Sequence, residues 1–283
     1  MKIIECPRDA MQGLAHQVPT ALKVKYINQL LQVGFDTVDF GSFVSSKAIP
    51  QMADTVEVLE QLNLGSSKSK LLAIVANVRG AETACDFEEI DYLGYPLSIS
   101  ETFQQRNTKR SIADAFSDLA EIRELTESND KSLVVYLSMG FGNPYSDHYS
   151  PEIVSQFVDK LDEMEVDVIS LSDTVGVADS ELITSLFTQI IPKFPHIEFG
   201  AHLHSRPEQV SEKVKAVYNA GCRRIDGALR GYGGCPMADD KLVGNLATEN
   251  IISTSRDDLG IDLQVNHSAL NEAMAIAGEV FLH

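Results

Sequence analysis

The chain has 283 residues, 44% hydrophobic and 23% charged, as in an ordinary soluble globular protein of one large α/β domain or two small ones. A net charge of −18 excludes the broad basic face of a nucleic-acid binder and disfavours an anionic membrane surface, although a local Arg/Lys cluster could still hold a small anion. Four cysteines without C-x-x-C spacing suit a reducing compartment. Neither a membrane-length apolar run nor a charged-then-apolar leader is visible, so a cytoplasmic location is expected.

From the N-terminus, short apolar runs alternate with helical patterns. Ile3-Ile4 forms the first strand and leads into Cys6-Pro7-Arg8-Asp9. A helix starts near Thr20 and closes at Gly34. A second strand covers 35–40, followed by a Ser-rich loop and a helix near 55–62. The run 70–75 is almost wholly apolar, as expected of a strand covered on both faces, and a short helix follows near 79–85. The fourth strand, 92–99, is the weakest, interrupted by Gly94 and Pro96. Then come a helix over 111–126, a strand over 132–137, a helix over 151–164, a strand over 166–171 and a helix over 180–191. The seventh strand ends in His202 and His204. A helix over 208–219, a strand over 224–228 and two final helical stretches complete the chain.

Eight strand-then-helix units without linker or low-complexity tract predict right-handed βαβ connections and a parallel sheet. Their number predicts a single domain over residues 1–283, a (β/α)8 TIM barrel with an additional C-terminal helix. The rival, a doubly wound open sheet, lacks its phosphate turn, because Pro7-Arg8-Asp9 stands where G-x-G-x-x-G would be.

Barrel enzymes carry their reacting groups at the C-terminal strand ends. Those positions hold Arg8, Asp9 and Gln12, then Asp39 and Ser42, then Ser100, Glu101, Arg106 and Asn107. They continue with Asp173 and Thr174, His202 and His204, and finally Gly233-Gly234-Cys235-Pro236 and Gly244-Asn245. Residues two apart on a strand share a face, so His202 and His204 are expected to aim at one point. The alternative is an exposed pair satisfied by water or a carboxylate. With Asp9 and a nearby amide or water, the two imidazoles would make a mixed oxygen/nitrogen site suited to octahedral Mg²⁺ or Mn²⁺, with catalytic zinc left open. Cys85 and Cys222 read as small buried hydrophobes. Cys235 lies in a Gly-rich loop and could move protons there.

The ordered elements Arg8-Asp9-x-x-Gln12, Ser42-Phe43-Val44-Ser45, Ser100-Glu101, Ser172-Asp173-Thr174, His202-x-His204, Gly233-Gly234-Cys235-Pro236 and Gly244-Asn245 resemble those of hydroxymethylglutaryl-CoA lyases. These lyases belong to a wider metal-dependent barrel family that includes isopropylmalate and homocitrate synthases. The resemblance implies metal ligation by Asp9, His202, His204 and Asn245. It also implies enolate stabilisation by Arg8, proton donation by Cys235 and an orienting carboxylate at Asp173. Asp39 stands where the lyases carry a Glu and is expected beside the reacting groups. Gln12, Ser42, Glu101 and Asn107 are expected to bind substrate.

The implied activity is cleavage of 3-hydroxy-3-methylglutaryl-CoA, or a close 3-hydroxyacyl-CoA, to acetoacetate and acetyl-CoA. The rivals are a Claisen-type synthase or related metal-dependent aldolase, and a degenerate barrel kept as a scaffold. A homodimer and an acyl-CoA partner follow from the same resemblance. For Lys47, Arg106, Lys109 and Arg110 a solvated surface is expected rather than contact with CoA phosphates. Three further segments depart from the lyase pattern: Ser205-Arg206-Pro207-Glu208 after the second histidine, Ala10-Met11-Gln12-Gly13-Leu14, and Gly142-Asn143-Pro144-Tyr145, which lacks the usual Cys.

Overall fold

The computed structural model describes residues 1–234 and 243–281. Eight parallel strands form a ring: β1 (Lys2–Glu5), β2 (Thr37–Ser42), β3 (Lys70–Ile74), β4 (Tyr92–Ser98), β5 (Ser132–Ser138), β6 (Val168–Asp173), β7 (Glu198–Ser205) and β8 (Arg224–Gly227). β1 pairs with β2 on one side and β8 on the other, and β6 pairs with β7, so the sheet closes. The expected TIM barrel is the observed one.

Around it lie α1 (Pro7–Gln12), α2 (Thr20–Leu31), α3 (Thr55–Leu59), α4 (Val78–Cys85), α5 (Glu101–Thr108) and α6 (Ile112–Ser128). They are followed by α7 (Pro151–Glu163), α8 (Ser180–Ile190), α9 (Val210–Asn219), α10 (Thr248–Asp257) and the additional C-terminal α11 (His267–Phe281). α11 lies against α2, with the Phe281 ring edge-on to Tyr26 at 6.1 Å. A two-residue strand, β9 (Gly244–Asn245), pairs antiparallel with the end of β7. Among the described residues no helix is long and apolar enough to cross a membrane.

The two faces of the strands pack differently. Leu71, Leu93, Leu97, Leu133, Leu137, Ile169, Phe199 and Leu203 alternate outward into the core beneath the helices. The inward set is apolar only on one side of the barrel, where Leu72, Ile74, Tyr92, Val134, Tyr136 and Val168 cluster. Across β6, β7 and β8 the same register presents Ser170, Ser172, His202, His204, Arg224 and Asp226. The interior is therefore built half for packing and half for chemistry.

The fourth strand is present as expected, and two short helices were not foreseen. β4 is a full strand despite Pro96, because its ladder with β3 ends at the Ile74–Gly94 pair and the missing N–H falls beyond it. α1 and α5 stand where the sequence pattern had placed no helix. α5 is capped by the Ser100 hydroxyl, which accepts the Phe103 N–H, and stops at left-handed Lys109 (φ 58°). Only Phe103 is apolar in Glu101–Thr108, so no hydrophobic periodicity announced the helix.

Glu5 ends β1 on the outward face, wholly buried, where its carboxyl accepts the Leu229 N–H at 2.8 Å and the Thr248 hydroxyl at 2.6 Å. Burial pushes it up to about 8, against both hydrogen bonds. The unfolded chain loses this proton near the ordinary 4.5 while the folded chain keeps it, so stability falls as pH rises through this window and levels above about 8. Glu5→Gln keeps an oxygen to accept the Leu229 N–H and turns an NH₂ group to donate to the Thr248 hydroxyl, without the ionisation. The variant should escape this loss, on the order of a few kcal/mol, in urea denaturation followed from pH 5 to 9. Parallel profiles for the two proteins would contradict the assignment.

Candidate metal centre and substrate cleft

α1 brings the first groups to the rim. Pro7 opens it, where a missing N–H is harmless, and the i, i+3 and i, i+4 spacings set Asp9 and Arg8 beside Gln12. Gln12 donates from Nε2 to Asp9 Oδ1 at 2.7 Å and accepts from Arg8 Nη1 at 3.0 Å. Arg8 also donates from Nη1 to Asp9 at 3.3 Å, and from Nε and Nη2 to Asp39 Oδ2 at 3.0 and 2.5 Å. Of the five guanidinium N–H donors, only one on Nη2 is left uncommitted among the described residues. Burial pushes the Asp39 carboxyl up to about 6, against the pull of Arg8. Burial would also raise Asp9, but Arg8, then His202 and His204, then the Asn245 hydrogen bond, hold it below its ordinary value.

β7 supplies both histidines on one face, with ring centroids 5.4 Å apart. The Nδ1 of His202 is 3.0 Å from Asp226 Oδ2, and the Nδ1 of His204 is 2.9 Å from the Thr174 carbonyl oxygen. A carbonyl can only accept, so His204 carries its proton on Nδ1 and its Nε2 presents a lone pair. That Nε2 is buried and has no hydrogen-bond partner among the described residues. Burial, then the neighbouring His202, lowers the His204 pKa and keeps the ring neutral. For His202 burial is outweighed by its bond to Asp226 and by the charges of Asp226 and Asp9, which raise it.

β9 carries the fourth group. Asn245 lies opposite His204 in the β7–β9 pair and donates from Nδ2 to Asp9 Oδ2 at 2.7 Å and to the Tyr232 carbonyl at 2.9 Å. Its Oδ1 therefore remains as an acceptor. Gly233 makes this approach possible: at φ +101° a Cβ would sit 2.4 Å from Asn245 Nδ2 and 3.2 Å from Asp9 Oδ2.

One ligand atom each from Asp9, His202 and His204 lies within 4.8 Å of the others, a spacing that can hold a metal ion. The donor set fits a divalent cation: an ionised carboxylate and an imidazole lone pair whose Nδ1–H is fixed by a carbonyl. Cys6, His202 and Asp226 make a second such grouping. There burial, then Asp226, Asp39 and Asp9, push the thiol well up, so it stays protonated and a poor ligand.

The centre opens into a cleft of about 470 Å³, walled by Val44, Ile49, Ile74, Tyr136 and Phe103. Arg8, Asp9, Gln12, Asn107, His202 and His204 all line it. Ser42 and Glu101 are not brought to this lining. Ser42 Oγ accepts the Val44 N–H and shapes the loop, while Glu101 accepts the Ile112 N–H and caps the next helix. Asp173 accepts the Val177 and Ala178 N–H groups, both at 2.9 Å, and thereby holds the loop whose Thr174 orients His204. Cys235 lies outside the described residues.

Some functional positions escaped the sequence. Asp226 orients the His202 imidazole, as Thr174, already placed at the rim, orients that of His204, and Tyr136 meets His202 edge-on at 5.6 Å. The period-two register of β8 and β5 could have placed Asp226 and Tyr136 on the inner face. Arg106 and Lys109, expected on a solvated surface, line the cleft from α5, whereas Lys47 and Arg110 do not. The altered loop at Asn143 is a built turn: its Oδ1 accepts the Tyr145 and Asp147 N–H groups, and Asp147 in turn accepts Ser100 and Thr102 on α5.

The HMGL-like family model matches residues 2–276. The mitochondrial hydroxymethylglutaryl-CoA lyase of Mus musculus is 32% identical over 276 residues, covering 96% of this chain and 83% of the relative. The cytoplasmic 3-hydroxy-3-methylglutaryl-CoA lyase of Homo sapiens is 30% identical, covering 96% and 73% respectively. Among solved structures, an HMG-CoA lyase from A. baumannii in complex with coenzyme A and 3-methylmalate superposes with a TM-score of 0.91 at 28% identity, covering 100% of this chain and 91% of that one. A match from residue 2 to residue 276 spans every barrel strand and every rim residue described above, and the chain belongs to the HMGL-like family.

Proposed function

We propose that this chain is a divalent-metal-dependent lyase that cleaves 3-hydroxy-3-methylglutaryl-CoA to acetoacetate and acetyl-CoA, acting as one catalytic domain over residues 1–283. The observation that carries it is the buried, unpartnered Nε2 of His204, within 4.8 Å of the Asp9 and His202 ligand atoms at the floor of the cleft. Asp9, His202, His204 and Asn245 Oδ1 would hold the ion. An oxygen-rich set without thiolate suits Mg²⁺ or Mn²⁺. Bound there, the ion supplies Lewis acidity towards the substrate's tertiary hydroxyl.

Cleavage breaks the bond between C2 and C3. The C3 hydroxyl gives up its proton to water in the open cleft, C3 becomes a carbonyl, and the electron pair of the broken bond passes to the thioester α-carbon as an enolate. Arg8 remains charged, because burial is outweighed by Asp39 and Asp9, and its uncommitted N–H is available to the enolate oxygen. Asp39 and Gln12 fix the guanidinium in that position. The departing α-carbon then needs a proton, a role we assign to Cys235 on the resemblance of its Gly-Gly-Cys-Pro loop. Cys235→Ala should keep the metal and lose turnover by about 10²-fold or more. Unchanged turnover would remove Cys235 from the proton path.

Arg106 and Asn107 on α5 and Lys109 at its C-terminal end line the cleft and are suited to the polar and anionic parts of a CoA ester. The relatives include both mitochondrial and cytoplasmic lyases, and we carry a cytoplasmic homodimer forward as part of this proposal. The relatives named above are lyases, so the Claisen-type reading is not favoured. The discriminating experiment offers the chain hydroxymethylglutaryl-CoA and, separately, acetyl-CoA with a 2-keto acid. Acetoacetate from the first and no condensation in the second is the expected result. Condensation without cleavage would overturn it.

A further inference from the structure

Beneath the paired histidines the barrel interior is polar where branched apolar residues ordinarily fill a barrel. Arg224, the first residue of β8, has no exposed surface, and its Nε, Nη1 and Nη2 all lack a hydrogen-bond partner among the described residues. The same is true of Ser170 Oγ on β6, Tyr136 Oη on β5 and Asp226 Oδ1 on β8.

These groups share one chamber. Gly200 on β7 lies between Ser170 and Arg224 in register, and a Cβ there would stand 3.0 Å from Ser170 Oγ and 3.3 Å from Arg224 Cδ. The absent side chain is what lets the arginine run across the interior. Its Cζ lies 5.3 Å from the Tyr92 ring centroid. Asp226, two residues along the same face, has its other oxygen, Oδ2, on His202 Nδ1.

A guanidinium has five donors and no acceptor, and buried donors are satisfied almost without exception. The orphaned oxygens of Asp226, Tyr136 and Ser170 are the acceptors in the chamber, yet none is within direct reach of the arginine. Water accepts from a guanidinium and donates to a carboxylate, and a polar enclosure with several partners is where internal water resides.

We propose that internal water links Arg224 to Asp226 Oδ1, and that this linkage makes Arg224 a positioning residue, fixing Asp226 and through it the His202 ring. The inference rests on His202 being a metal ligand. Partners that orient a ligating histidine commonly change metal affinity 10- to 100-fold, and Arg224, one step further out, is expected to contribute about 10-fold.

The test is calorimetric titration of Mn²⁺ into the metal-stripped chain and into Arg224→Met, Asp226→Asn and the double variant. Arg224→Met should bind about 10-fold more weakly. The double variant should bind no more weakly than Asp226→Asn alone, because Arg224 acts through Asp226. Unchanged affinity in Arg224→Met, or losses that add in the double variant, would overturn the linkage. Failure of the unaltered chain to bind Mn²⁺ would instead overturn the metal assignment on which it rests. A high-resolution crystal structure of the unaltered chain tests it without any variant. Water bonded to both the guanidinium and Asp226 Oδ1 is expected, and a direct Arg224–Asp226 pair or an anion in its place would refute it.

Discussion

Asp9→Asn is expected to weaken Mn²⁺ binding by at least about 100-fold, beyond the usual contribution of groups that only orient ligands. Asp9 is the only anion in the proposed ligand set. Both of its oxygens accept from amide donors, Oδ1 from Gln12 and Oδ2 from Asn245. An asparagine would turn an NH₂ group towards one of those donors, so the substitution removes the charge and also one of these two hydrogen bonds. Calorimetry on the stripped variant, with metal analysis after dialysis, measures the loss. Full occupancy would remove Asp9 from the ligand set.

Arg8→Lys is expected to lower kcat/KM by about 10²- to 10³-fold at saturating metal, the range seen when a donor to a developing oxyanion is lost. Charge alone does not suffice here. The guanidinium spans Asp39, Asp9 and Gln12 at once and still has an N–H to offer, whereas an ammonium on a flexible stem cannot reproduce that fork. Because Arg8 is not a proposed ligand, metal affinity should change far less than turnover. A kcat/KM within threefold of the unaltered chain would mean that the enolate charge is met elsewhere.

The barrel was legible because its signals are local. The apolar run at 70–75, the strand–helix alternation and the missing dinucleotide turn each follow from short stretches of chain. The period of two on β7 foretold that His202 and His204 converge, and the observed centroid separation of 5.4 Å agrees. Position at the C-terminal strand ends collected Arg8, Asp9, Gln12, Asn107 and both histidines in one cleft.

What was not legible depends on contacts between distant segments. Pro96 weakened β4 on paper, and only the length of its neighbour makes the proline harmless. Glu101 looked like a rim carboxylate, but the unannounced α5 turns it towards the start of α6. Arg106 and Lys109 reach the cleft because that same helix carries them there. Asp226 gives no motif of its own, and Thr174 lies in one that does not reveal its role, since each is defined by the imidazole it meets.

The most direct measurement is acetoacetate and acetyl-CoA release from hydroxymethylglutaryl-CoA by the purified chain, with Mg²⁺ or Mn²⁺, after chelation, and again after metal is restored. Turnover that disappears on chelation and returns with the ion is the predicted result. Turnover that persists in the chelated, metal-free chain, or none from a chain carrying one stoichiometric ion, would contradict the assignment of metal-dependent cleavage of this substrate.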